Sequence, residues 1–329
     1  MIVMAGDIGG TKTNLGLFKK GKTRPSPRVI KTYPSRDAKD LTELIAKFIQ
    51  RHPARIHGAC FGVAGPIING RCKATNLPWV VSEDRIQRRF KWPHVRLIND
   101  LTATAKAINF MHSRELFPLN HARIRKRQNM ALVAPGTGLG QALLIFQNGT
   151  HWPIASEGGH ADFAPNNENE IKLWQHLHRR YGHVSVERVL SGPGLVNIYD
   201  TLKKMENYRE PEWLAAKMKN MTPARVITET ALAKKNSLCI KSLKMFVSIF
   251  GAVAGNLALT GMATGGVYLG GGISPKILPK VKTKDFMQSF TNKGALKNLL
   301  EKIAVRVILN DKAALIGAAS CAFHLADRR

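Results

Sequence analysis

Asp7 lies in Gly6-Asp7-Ile8-Gly9-Gly10-Thr11, between the apolar start Met1 to Ala5 and the alternating stretch Lys12 to Phe18. A carboxylate, three glycines and a hydroxyl within six residues suit an anion and its counter-cation. Glycine lets backbone N–H groups approach a bulky anion, and the carboxylate offers a metal a partner through water. The flanking runs predict two strands joined by the turn. The same design returns after the apolar run Met130 to Ala134, where Pro135-Gly136-Thr137-Gly138-Leu139-Gly140 leads into Gln141 to Phe146. Neither loop is a dinucleotide fingerprint, because a strand follows the glycines where a helix should begin. Neither is a P-loop, since no Gly-Lys-Ser/Thr occurs there. Two phosphate loops in two half-molecules predict a clamp on a nucleotide. A third cluster, Gly265 to Ser274, reads as a buried strand ending in Gly270-Gly271-Gly272. Bare backbone there suits a flat base or ribose; a tight strand-to-helix turn explains it equally well.

Asp100 stands just beyond the run Val95 to Ile98, next to Asn99. A carboxylate at a strand end can project into a cleft and take a proton from an alcohol, or it can cap the helix that follows. Position alone leaves both open.

Longer segments accompany the loops: FGVAGPI at 61–67, TNLPW at 75–79, LINDLTA at 97–103, EGGHADFAP at 157–165, GHVSVERVLSGPGLVNIY at 182–199 and GNLALTGMATGGVYLGGGI at 255–273. Through them the chain resembles the bacterial glucokinases of the hexokinase–actin-like superfamily, over nearly its whole length and in family order. Sugar kinases of the related repressor–kinase family carry a zinc motif after the EGGH segment. Here Ala161 to Pro165 stands in its place, which disfavours that subfamily and its zinc. The resemblance implies an α/β fold of two RNase H-like (actin/hexokinase-like) domains around a central cleft. The small domain would be 1–110 plus 311–329 and the large one 111–310. It implies phosphorylation of glucose at the 6-hydroxyl by ATP with Mg²⁺, in a cytoplasmic homodimer.

Residue by residue, the resemblance makes Asp100 the general base. It makes Asn99, Asp100, Glu157, His160 and Glu187 the sugar contacts, with Asn76 ranked below them and Asp162 structural. A sugar's hydroxyls each donate and accept, so carboxylates, amides and imidazole suit it. Gly158 and Gly159 are expected to leave room for the ring. Gly6, Asp7, Ile8, Gly9, Gly10 and Thr11, with Gly136, Thr137, Gly138 and Gly140, would embrace the phosphates. Gly270, Gly271 and Gly272 would approach the adenosine, and Asp7 would hold Mg²⁺ through water. Another hexose (mannose, fructose or an amino sugar) is the nearest alternative substrate. A sugar-responsive nucleic-acid-binding regulator is a different class. It is disfavoured because the first motif begins at residue 6, leaving no room for a helix-turn-helix module.

Composition fits this reading. The 329 residues suffice for two domains. The four cysteines, Cys60, Cys72, Cys239 and Cys321, form no CxxC pair, which argues against zinc and a disulfide framework and fits a reducing cytoplasm. No signal peptide is expected, because Met1 has no basic region after it and Asp7 interrupts the apolar start. Phe246 to Ile273 carries no charge, but its eight glycines predict a buried helix near 240–260 and a core strand near 266–270 rather than a membrane span. The outlier is the net charge of +28, from 50 basic and 22 acidic residues. It is dispersed, with aromatics at only 7%, so the expectation is a solvated surface without a specific nucleic-acid or membrane partner.

The elements that must position these residues follow from pattern. Strands are predicted near 2–7, 13–18, 28–33 (an edge strand), 56–63, 95–98, 130–134, 141–146 and 305–309. Helices are predicted near 37–51, 82–90, from 101, and over 313–325.

Overall fold

The chain is described by a computed structural model for residues 1–75, 77–154 and 156–327. It divides into two compact units, one of Met1–Glu115, His151–Ala155 and Asn310–Arg329, the other of Leu116–Thr150 and Ser156–Leu309.

The first unit is built on strands β1 (Ile2–Ile8), β2 (Lys12–Lys19), β3 (Ser26–Pro34), β4 (Ala59–Val63) and β8 (Val95–Asn99), in the sheet order β3-β2-β1-β4-β8. β1, β4 and β8 run parallel, while β2 pairs antiparallel with β1 on one side and β3 on the other. A central strand covered on both faces needs a nearly continuous apolar run, and Val3, Met4 and Ala5 are each fully buried. Helix α1 (Leu41–Arg51) covers one face with Leu44, Ile45 and Phe48. The C-terminal helix, Ala313–Asp327, covers the other with Leu315, Ala318, Ala319 and Ala322. α1 starts at Leu41, later than the pattern suggests, because Asp40 accepts from Glu43 N–H at 3.0 Å and sets the N-cap. Short strands β5 (Ile67–Ile68), β6 (Arg71–Lys73) and β7 (Val80–Ser82) form a separate small sheet that periodicity did not foretell. Helix α2 (Glu83–Phe90) leads to β8, and helix α3 (Asp100–Ala107) follows it.

The second unit repeats the scheme. β9 (Leu116–Pro118), β10 (Met130–Pro135), β11 (Leu139–Gln147), β13 (Gly266–Leu269) and β14 (Val305–Ile308) form a sheet ordered β11-β10-β13-β14-β9; the strand β12 (Thr150–Ile154), next after β11 in the chain, belongs from His151 onward to the first unit. Again a hairpin precedes parallel strands: β10 pairs antiparallel with β11, and β10, β13 and β14 run parallel. Between β12 and β13 lie helices α4 (Glu168–Tyr181), α5 (Gly192–Met205), α6 (Glu212–Asn220), α7 (Pro223–Leu232) and α8 (Ser237–Thr260). α8 is long and apolar enough to cross a membrane, yet most of it is buried in this unit's core. Phe250 meets Phe286 of the helix Lys284–Thr291 edge-on, with ring centroids 5.4 Å apart.

Candidate active site

In the first unit the register brings the predicted site residues to one edge. Asp7 pairs with Gly62 and Val63 with Asn99, so β1, β4 and β8 end together. Ligands in open α/β sheets collect at such carboxyl ends. Gly6, Asp7 and Ile8 lie within β1; the turn itself is Gly9 to Thr11. The Gly9 N–H donates to Lys12 O at 3.0 Å, and buried Ser35 donates its hydroxyl to Gly9 O at 2.7 Å. The turn is thereby clamped, which pre-orders it for a ligand. The missing side chain at Gly6 makes way for the Phe61 ring.

Asp7 is oriented across the hairpin. The Asn14 amide donates to Asp7 Oδ2 at 3.1 Å, while Thr32 donates its hydroxyl to Asn14 Oδ1 at 2.7 Å and Lys312 Nζ donates to the same oxygen at 3.2 Å. With its oxygen receiving two donors, Asn14 must present its NH₂ to Asp7. Burial pushes the Asp7 carboxyl up to about 6; the Asn14 bond opposes this, the neighbouring charge of Asp100 adds to it, and Lys312 offsets part of it.

Asp100 opens α3. The cap of that helix is Asn99, whose Oδ1 accepts from Leu101 N–H at 2.9 Å and Thr102 N–H at 3.3 Å. Asp100 Oδ1 also accepts from Leu101 N–H at 2.9 Å. The capping alternative for Asp100 therefore belongs chiefly to its neighbour, and Asn99 carries a structural duty beside any contact with sugar. Asn76 lies outside the described residues.

In the second unit the turn of Gly136 to Gly140 joins β10 to β11. Gly136 N–H donates to Gly138 O at 2.8 Å, and Gly136 O accepts from Gly192 N–H at 2.8 Å, at the start of α5. Glu187, on a 3₁₀ turn of Val186–Arg188, accepts from Leu139 N–H at 2.7 Å through Oε2. That oxygen lies 2.5 Å from where a Cβ on Gly138 would be, so the loop needs glycine there. The structure thus joins a predicted sugar contact to a predicted phosphate loop.

Glu157 and His160 are exposed at either end of the Gly158–His160 turn. The space at Gly158 and Gly159, expected to leave room for the sugar ring, is bordered by protein. A Cβ at Gly158 would sit 2.8 Å from Gln141 Oε1, and one at Gly159 would strike the Leu139 carbonyl. These glycines let the turn lie against β11. Asp162 meets His183 Nε2 at 2.8 Å and bridges to Ser185, tying the Glu157 segment to the Glu187 segment.

Gly270 to Gly272 wrap the end of β10. Gly270 N–H donates to Val133 O at 2.9 Å, and Gly271 takes a φ of +75°, open to glycine with little strain. The space at Gly272 is clear. The triple glycine and the Gly136 loop therefore lie together at the ends of parallel β10 and β13.

Asn14, Asp311 and Lys312 escaped the sequence reading. Lys312 Nζ lies 3.2 Å from Asp311 Oδ2 and reaches Asn14 across 298 positions of sequence. A signal existed: Asn310-Asp311 follows β14 as Asn99-Asp100 follows β8, and Asn310 Oδ1 accepts from Lys312 N–H at 2.8 Å much as Asn99 caps α3.

Comparison with known proteins agrees with this geometry. A family model described as Glucokinase matches residues 4–325. A glucokinase of Nostoc punctiforme is 38% identical over 98% of this chain and 99% of its own length. One of Synechocystis is 38% identical over 97% of each chain. Among solved structures, a glucokinase from an Antarctic psychrotroph superposes with a TM-score of 0.87 at 28% identity, covering 98% of this chain and 99% of that one. A ROK family glucokinase of Streptomyces griseus, solved with glucose and AMPPNP, shares the fold at a TM-score of 0.65 and 19% identity, over 98% of this chain and all of its own. With the match running nearly end to end, this chain belongs to the glucokinase family.

Proposed function

We propose that the chain transfers the γ-phosphoryl group of ATP to the 6-hydroxyl of glucose. The observation that carries this reading is the full-length family match together with Asp100 at the carboxyl edge of the parallel strands, beside Asp7. Phosphoryl transfer asks a protein mainly for positioning and charge stabilisation. Asp100 is our candidate to accept the hydroxyl proton as the oxygen attacks the phosphorus in line. Asn99, Asp100, Glu157, His160 and Glu187 are assigned to glucose by their motifs. One oxygen of Glu187 is committed to Leu139 N–H, which leaves its other oxygen for a sugar hydroxyl. The turns at 9–11 and 136–140 are assigned to the phosphates and Gly270 to Gly272 to the adenosine.

Mg²⁺ suits the residues present. Asp7 is half-buried with a raised pKa and feels the charges of Asp100 and Asp311, so an oxygen-seeking dication would relieve it. Asp7 would hold the ion through water. When bound, Mg²⁺ supplies charge neutralisation for the phosphate oxygens. A cytoplasmic homodimer acting in glucose breakdown, with the two units as small and large domains, completes the proposal.

A coupled assay across hexoses and phosphoryl donors tests it. Glucose with ATP is expected to give the highest kcat/KM, and chelating Mg²⁺ to abolish turnover. A higher kcat/KM for another hexose would reassign the substrate.

A further inference from the structure

Cys60 and Cys321 come from opposite ends of the chain and meet in the first unit. Cys60 is on β4 and fully buried, within a cluster of Val3, Ala5, Phe18 and the inner face of the C-terminal helix. Cys321, on that helix, packs against the same cluster but stays half-exposed. The helix is seated closely there. A Cβ on Gly58 would lie 2.9 Å from Ala322 O, and one on Gly317 would strike the Ala103 carbonyl. Backbone contacts on two sides therefore fix the thiol pair, rather than side-chain chance.

Cys321 packs against the cluster that buries Cys60, and each thiol acts on the other's proton. Burial first, and then the Cys321 thiol, pushes the Cys60 thiol well up. The Cys60 thiol holds Cys321 down to about 7 against its own burial; Lys106 of α3 and Arg96 of β8 assist, and Glu83 of α2 opposes. Burial pushes the other two thiols, Cys72 and Cys239, upward. Thiolate character and access thus coincide at Cys321, with a second sulfur behind it.

We propose that Cys321 is an oxidation site for hydroperoxides and that Cys60 resolves it to an intrachain disulfide. The Cys321 thiolate attacks the distal peroxide oxygen; the O–O bond breaks, and the departing alkoxide or hydroxide takes a proton from water. Cys321 is then a sulfenic acid, oxidised by two electrons. The Cys60 sulfur attacks it, an S–S bond forms, and the departing hydroxide leaves as water with the Cys60 proton. Two thiols and one hydroperoxide give a disulfide, an alcohol or water, and one further water.

Graded hydrogen peroxide on the purified full chain, quenched by alkylation and mapped by mass spectrometry, tests this. Tryptic peptides bearing Cys60 and Cys321 are expected to appear linked, with a mass loss of about 2 Da per disulfide, and to separate on adding a dithiol. Cys321→Ser should abolish the link. Cys60→Ser should leave Cys321 to proceed to sulfinic acid. Cys72→Ser and Cys239→Ser should behave as the unaltered chain. Sulfinic Cys321 without a link in the unaltered chain, or a link to another cysteine, overturns the proposal. The unaltered chain alone can give that result, so a poorly folding Cys60→Ser does not blunt the test.

Discussion

Asp7 and Asp100 illustrate how neighbours set the task of a carboxylate. Both stand at strand ends, but Asp7 is gripped by Asn14 whereas Asp100 begins a helix whose cap is supplied by Asn99. If Asp100 is the base, Asp100→Asn keeps the shape and loses the proton acceptor. Turnover should fall by about two to four orders of magnitude while glucose binding and folding persist. Near-normal turnover in that variant would remove Asp100 from the role. Asp7 yields a separate test through pH. Its carboxyl titrates near 3.8 when unfolded and near 6 when folded, so the folded chain binds more protons between these values. Stability attributable to Asp7 thus falls as pH rises through that window, and the cost is complete above the folded value. Asp7→Asn removes the cost. In metal-free buffer its Tm should exceed that of the unaltered chain at pH 7, with the gain fading as pH drops toward 4. A difference that is flat with pH would show that Asp7 does not titrate in this way.

At the scale of elements, hairpins and glycine turns were legible because both leave local marks: alternation in the strands and small residues between them. The small sheet of β5, β6 and β7 was not, since strands of two or three residues carry no period. Composition marks where backbone must come close, but not what comes close to it: at Gly158 and Gly159 the near neighbours are Gln141 and Leu139. Lys312 could not be linked to Asn14 from pattern, because only the packing of the C-terminal helix on the sheet closes that distance. The contact of Gly138 with Glu187 gives an element-scale prediction. Gly138→Ala must displace a carboxylate held by Leu139 N–H, which should cost about 1.5–3 kcal/mol, the range for a hydrogen bond to a charged group. In a Glu187→Ala background the same substitution meets no carboxylate and should cost little. Urea unfolding of the four chains measures the coupling; equal costs in both backgrounds would dissolve the link between loop and carboxylate.

Across the whole molecule, ion pairs do not cancel the charge. Even if every one of the 22 acidic residues were matched, 28 cations of the 50 would remain. They are spread over both units: Arg123, Arg125, Lys126 and Arg127 are all exposed in one, as are Lys19, Lys20 and Lys22 to Arg24 in part in the other. A field with no single focus attracts polyanions without orienting them. Binding to random duplex DNA should therefore be independent of sequence and fall steeply with salt, because released counterions drive it. At about 0.15 M salt the Kd should lie in the non-specific range of roughly 10⁻⁴ to 10⁻⁶ M. Saturating glucose should leave it unchanged, since the residues assigned to sugar are not those of the basic runs. Gel-shift titrations with and without glucose decide both points. Tight, sequence-selective binding that responds to glucose would mean that the charge serves a regulatory partner after all.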